Sequence, residues 1–271
     1  MNVSRSMGHI VPFLFLMMLV VGVASTRAVP IYGVTVANQL VRFDSAAPGT
    51  VATIGSITGL QSSEAILGID FRPATGQLFA LGSSSRLYTI NKITGAASLV
   101  GVLSTPLVGA DFGFDFNPSV DRIRVVSSAG QNLRVNPTNA AVTVDFPLNP
   151  GFTHVTSAAY TNSFNGSAST TLYVIDTVTD TLLIQNPPNN GTLTPVGPLN
   201  VNAADSNGFD ISASAGIAYA AFTSSGDTAL YTINLMTGVA TPVGPIGNGS
   251  FVLRAMAVES GSAAPNLTTC F

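Results

Sequence analysis

Five leucines recur along the chain at Leu40, Leu87, Leu133, Leu182 and Leu230, at intervals of 47, 46, 49 and 48 residues. A period that steady, built from short apolar runs, is the signature of a radial array of small antiparallel sheets that bury their faces against one another. In the clearest unit, residues 67–71, 77–81, 86–91 and 97–100 read as four strands. Pro73 and Gly76 supply the first turn, and Thr94-Gly95 a tight hairpin. The remaining units repeat this grammar.

The two ends of the repeat are complementary. The first unit has strands at residues 31–35, 39–43 and 51–54 but lacks an opening strand, while residues 252–258 form an opening strand with nothing after it. The expected fold is therefore an all-β, five-bladed β-propeller of four-stranded antiparallel blades, closed by pairing of the C-terminal strand with the N-terminal blade. Closure removes the open sheet edges that invite aggregation. Small residues at the inner-strand positions, Gly68, Gly113, Ser157, Gly208 and Ala255, suit the crowding of five blades about an axis. A β-sandwich is the rival fold, but it predicts neither the even spacing nor the complementary ends.

The run Gly68-Ile69-Asp70-Phe71-Arg72-Pro73, with Gln77 to Leu81 and Leu87 to Asn91, resembles an exported bacterial family, domain of unknown function 4394. A second copy, Gly113 to Pro118 with Asp121-Arg122-Ile123-Arg124-Val125-Val126, carries the same resemblance over residues 31–259. The resemblance implies a secreted propeller-like domain of unassigned activity. It brings no catalytic residues with it.

A mean hydropathy of +0.44 raises the question of a membrane. Only one apolar run is long, residues 11–23; it follows Arg5 and His9 and precedes the small-residue exit Ala24 to Ala28. That is the three-part pattern of a secretory signal, and thirteen residues are short for a bilayer span. The expected organisation is a signal peptide at 1–28, one propeller domain at 29–260 and a tail at 261–271, in a secreted or periplasmic protein. A retained anchor is the alternative. After residue 28 the chain has 8 basic and 13 acidic residues, a net charge of −5. That balance argues against nucleic acid, and against the membrane once the signal is removed. The one cysteine, Cys270, leaves no internal disulfide. The expected state is a monomer that binds an unknown extracellular ligand or protein.

Most catalytic signatures are absent. There is no nucleophile elbow, phosphate-binding loop or zinc helix, and His154 is the only histidine after residue 28. Asp70, Asp115 and Asp210 recur at one place in three inner strands, where the other two copies carry Ala159 and Ala257. They are the catalytic candidates, and their recurrence favours a structural reading in which each ties a backbone amide of the adjacent blade. Glu64, Asp111, Asp205 and Arg254, in the loops entering these strands, are candidate binding residues. Asp205, Asn207 and Asp210 resemble part of a calcium loop, and calcium is the one cofactor considered. The leading functional reading is an exported, non-enzymatic binding or structural module. The alternative is a carboxylate-dependent glycoside hydrolase or lyase acting at the propeller axis, a reading weakened by the absence of tryptophan.

Overall fold

The computed structural model describes Met1 and residues 28–150, 154–204, 207–214, 216–224, 226–249 and 251–259. The leader expected at 1–28, the tail and Cys270 lie outside these residues, apart from Met1 and Ala28. Strands β1 (Pro30–Thr35), β2 (Gln39–Asp44) and β3 (Ala47–Ser56) begin the first blade. The second is β4 (Ile66–Phe71), β5 (Leu78–Gly82), β6 (Arg86–Ile90) and β7 (Ala97–Val102); the third is β8 (Phe112–Asn117), β9 (Arg122–Ser127), β10 (Asn132–Val135) and β11 (Val142–Val144). The fourth comprises β12 (Val155–Tyr160), β13 (Leu172–Asp176), β14 (Thr181–Gln185) and β15 (Leu193–Pro198). The fifth comprises β16 (Asn207–Ile211), β17 (Ala218–Ser224), β18 (Asp227–Ile233) and β19 (Ala240–Pro245), and β20 (Leu253–Val258) ends the described chain.

Each blade is a four-stranded antiparallel sheet, and the first has the order β20-β1-β2-β3. The C-terminal strand therefore supplies the inner strand that the N-terminal blade lacks. Its ladder runs from Ile31 opposite Val258 to Val34 opposite Ala255. It is extended at both ends by Glu259 N–H to Pro30 O at 2.9 Å and Val36 N–H to Val252 O at 3.0 Å. Lys92, beyond β6 in the second blade, donates to Glu259 across the closure. Among the described residues no helix is long and apolar enough to cross a membrane.

The five repeated leucines lie in the third strands, fully shielded from solvent. The apolar core is divided into five clusters, one at each junction between neighbouring blades. In the first, second and fourth blades a polar residue two positions before the leucine fixes the connection into the next blade. Asn38 accepts from Ile66 N–H at 3.0 Å and donates to Glu64 O at 2.7 Å. Ser85 accepts from Leu107 N–H at 2.9 Å, and Asp180 from Ala203 N–H at 2.8 Å.

The outer strand β3 is longer than the expected 51–54. Two register shifts in its pairing with β2, at Leu40/Val41 and Arg42/Asp44, absorb extra residues as bulges. Pro48 and Gly49 are thereby kept in an edge strand, where a missing N–H costs no ladder bond.

At the axis the inner strands approach too closely for side chains. A Cβ on Gly68 would fall 2.5 Å from Phe114 Cβ, one on Gly113 2.7 Å from Ala158 Cβ, and one on Gly208 2.4 Å from Met256 Cβ. Gly208→Ala is expected to cost about 1–3 kcal/mol through overpacking, lowering the Tm by several degrees. Gly49→Ala, where the nearest atom to a new Cβ is 3.6 Å away, should leave the Tm within about a degree by the same reasoning. Thermal denaturation of the two variants checks this.

Candidate functional site: an acidic axis and an arginine cleft

Asp70, Asp115 and Asp210 do converge, with one carboxylate oxygen of each lying within 4.8 Å of the others. All three are buried, at 2–4% exposure. Their hydrogen bonds explain the grouping. Each aspartate precedes by one residue a position whose N–H points into the axis: Phe71, Phe116, Tyr160, Ile211 and Val258 in the five inner strands. Asp70 Oδ1 accepts from Phe71 N–H at 2.6 Å and Oδ2 from Phe116 N–H at 2.7 Å. Asp115 Oδ1 accepts from Tyr160 N–H at 2.9 Å. Asp210 Oδ1 accepts from Ile211 N–H at 2.6 Å and Oδ2 from Val258 N–H at 2.6 Å. Thus each aspartate reaches across to the next blade. Where the preceding copy is Ala257 or Ala159, the aspartate's second oxygen serves its own strand instead. Three carboxylates satisfy all five amides, each of which would cost about 1–3 kcal/mol if left unpaired.

Burial, with the Asp210 charge added, pushes Asp70 well above the usual carboxylate range. Burial together with Asp70 and Asp210 does the same to Asp115. Burial raises Asp210 to about 6. No cation pairs with the triad among the described residues, so protons or a bound hard cation must offset the mutual repulsion. The oxygen spacing suits either.

The remaining candidates occupy the opposite, N-terminal ends of the inner strands. Glu64 accepts from Gln61 N–H at 3.1 Å, Ser84 N–H at 3.2 Å, the Ser84 hydroxyl and Tyr88 Oη at 2.6 Å. These bonds outweigh its burial and hold its carboxyl below the usual range. Burial, followed by the bond to Glu64, pushes the Tyr88 phenol up to about 12. Glu64 therefore braces a loop. Arg254 donates to Ile66 O at 3.3 Å and Val36 O at 3.2 Å. Burial draws its guanidinium below the ordinary range, opposed by the charge of Asp111. Asn207 and Asp210, the described part of the calcium-loop pattern, face opposite neighbours, because they stand three positions apart along one strand. Asn207 donates to Thr156 Oγ1 at 2.9 Å and Ala204 O at 2.7 Å. Asp205 lies outside the described residues. The axial void between Gly68, Gly113, Ser157 and Gly208 is about 20 Å³, room for a single water.

A much larger cavity lies elsewhere, between the third and fourth blades, with a volume of about 660 Å³. It is lined by Arg122, Arg124 and Arg134 from β9 and β10, by Asn117 and Tyr160 at the ends of two inner strands, and by the loop Pro187-Pro188-Asn189-Asn190. Alternation puts Arg122 and Arg124 on one face of β9, and Arg124 stands directly opposite both Asp115 and Arg134. A polar row thus runs outward from the axis across the third blade.

Arg124, at 2% side-chain exposure, is the floor of the cleft. It donates to Asn132 Oδ1 at 2.6 Å, Asp145 Oδ2 at 2.7 Å, Asn189 Oδ1 at 2.7 Å and Tyr160 Oη at 3.5 Å. Asn132 and Gln185 both donate to Pro188 O, at 2.9 and 2.7 Å, tying the proline loop to that floor. Arg134 grips both oxygens of Asp145, at 2.8 and 2.9 Å. Burial would raise Asp145, yet the bonds from Arg134 and Arg124 hold it below the usual range. Arg122 makes one hydrogen bond, to Asp121 O at 2.9 Å, while the Asp121 carboxylate is taken by Arg72. Four guanidinium groups therefore surround two carboxylates, and Arg122 and Arg134 retain unused donors facing the cleft. The sequence signal was present: two arginines at alternate positions in one strand, in a chain with few cations.

A closed ring of five four-stranded blades with a polar cleft at one junction is a five-bladed β-propeller. Residues 39–257 match the model of the family described as domain of unknown function (DUF4394), and the chain belongs to that family. Among solved structures it is similar to a structural genomics protein of unknown function from Bacteroides thetaiotaomicron VPI-5482, at 14% identity and a TM-score of 0.56. The similarity covers 85% of this chain and 64% of that one, so the chain spans less than two thirds of that protein's length. A chain of a nidogen/laminin complex is similar at 10% identity and a TM-score of 0.54, over 87% of this chain and 100% of that one. At these identities the likeness concerns the fold alone. None of the curated proteins matches.

The triad makes a signed prediction. Its carboxyls bind protons more tightly in the folded state than in the unfolded chain, whose aspartates titrate near 4. Their stabilisation is therefore complete below about pH 4 and is lost as pH rises through about 6 and beyond. The Tm should fall between pH 5 and 8, a window in which Asp121, Asp145 and Glu64, all held low, stay ionised. Asp115→Asn keeps an acceptor for Tyr160 N–H and removes a charge, so it should flatten that fall and raise the Tm at pH 8. Asp210→Asn sets an amide NH₂ against a backbone N–H and should lower the Tm at every pH. Melting curves across the window test both.

Proposed function

We propose that this protein is an exported, non-enzymatic binding module and that the arginine cleft receives an anionic ligand. One observation carries the reading. Arg122 and Arg134 present unsatisfied guanidinium donors to a cavity of about 660 Å³, in a protein whose overall charge is negative. Its size falls within the range of small-molecule sites. Paired arginine forks suit planar carboxylates, or phosphates, held in bidentate fashion. The floor beneath them is already fixed by the Arg124–Asn132–Asp145 network, which reduces the ordering cost of binding.

The axial hydrolase or lyase reading has no comparable support. Five of the six oxygens of Asp70, Asp115 and Asp210 accept backbone amides, and the three residues are only 2–4% exposed. A glycosidase, by contrast, needs two carboxyl groups flanking an accessible bond.

Reversing the charge in Arg122→Glu should abolish binding of small carboxylates and phosphates, with little change in Tm because the guanidinium makes a single hydrogen bond. Calorimetric titration with citrate, inorganic phosphate and acidic oligosaccharides, at low and high salt, measures this. Failure of every anion to bind, or equal binding by the variant, would contradict the reading.

A further inference from the structure

Resting on the anion-binding reading, the geometry of the cleft points to a narrower ligand class: an acidic oligosaccharide whose sugar carboxylate meets Arg122 and Arg134. The cationic forks form only part of the wall. Around them stand side-chain amides with unspent capacity. Among the described residues, Asn117 uses only its oxygen, accepting from Ser119 N–H at 2.9 Å. Asn189 likewise uses only its oxygen, for Arg124, and the Asn190 amide bonds to nothing. Each amide offers both donor and acceptor sites, the pairing that vicinal hydroxyls require.

The rest of the lining is apolar and low in conformational entropy: the Pro187 and Pro188 rings and Val120, with Tyr160 below. Such a surface accepts the C–H face of a pyranose ring. A free phosphate would instead be expected where backbone N–H groups converge at a helix N-terminus or a glycine-rich nest, whereas the short 3-10 turn in this lining, Pro188–Asn190, opens on prolines that have no N–H to offer. A nucleic acid strand needs an extended basic groove, whereas the positive charge here is confined to one blade junction. Carboxylate-matched forks, free amides and an apolar wall coexist in one cleft large enough for a few sugar rings. Together they describe a site for a uronic acid oligomer.

The test uses the full chain made in a host that does not glycosylate, because the sequon Asn190-Gly191-Thr192 lies on the cleft wall. The probes are trimers of α-linked galacturonate and β-linked mannuronate, their carboxyl-reduced neutral counterparts, citrate and inorganic phosphate. At least one uronate trimer should bind saturably, and its reduced form roughly 10- to 100-fold more weakly, the worth of a charge-assisted bidentate bond. Arg122→Gln should weaken the acidic trimer by the same factor and the neutral trimer much less, so that the preference for the acidic form is lost. Asn189→Ala should weaken both trimers. If citrate or phosphate binds through Arg122 while neither trimer does, the sugar assignment is overturned and the anion cleft stands. If no anion binds, or binding ignores Arg122, both readings fall.

Discussion

Five strands meeting at one axis cannot all carry side chains there, and the rest of the molecule follows from that crowding. Gly68, Gly113 and Gly208 let neighbouring backbones approach within the space of a missing Cβ. The same closeness leaves five inner-strand N–H groups facing a region that water barely enters. Three aspartates resolve the difficulty, each reaching one residue beyond its own position toward the next blade. Polar satisfaction and ring closure are thereby one event: the amide of Val258, which Asp210 caps, belongs to the strand that joins the two ends of the chain.

The arrangement separates scaffold from site. Charge at the axis is costly and is used to hold blades together. Charge in the third blade extends outward from Asp115 through Arg124 to Arg134 and ends at solvent. Arg124 resembles the axial aspartates in being buried and held by several partners, and removing one of them would leave an uncompensated group beneath the cleft. Arg122 and Arg134 sit on that fixed base with donors to spare. A binding site made of a rigid floor and a few free forks loses little entropy when it closes on a ligand.

Much of the fold was legible in the sequence because it is periodic. The leucines mark third strands, and the complementary ends of the repeat foretold the shared first blade. The recurrence of Asp70, Asp115 and Asp210 correctly suggested amide ties, since a repeated position answers a repeated need. What escaped was whatever depends on a single junction. The cleft needs Arg124 opposite Arg134, a register set by the hairpin, together with a proline loop arriving from a different blade. No spacing along the chain records that meeting. Within the 205–210 run, Asn207 and Asp210 share one strand and turn to different blades, a separation that follows from strand alternation and not from the calcium-like spacing.

The division between a structural axis and a ligand-bearing cleft is tested most directly by mapping amide chemical-shift changes as a galacturonate trimer is titrated into isotope-labelled protein. The account predicts saturable shifts confined to Asn117, Arg122, Arg134, Asn189 and Asn190, with Phe71, Phe116, Ile211 and Val258 at the axis unmoved. Shifts centred on the axis, or on Glu64, Asp111 and Arg254 at the other end of the inner strands, would contradict it.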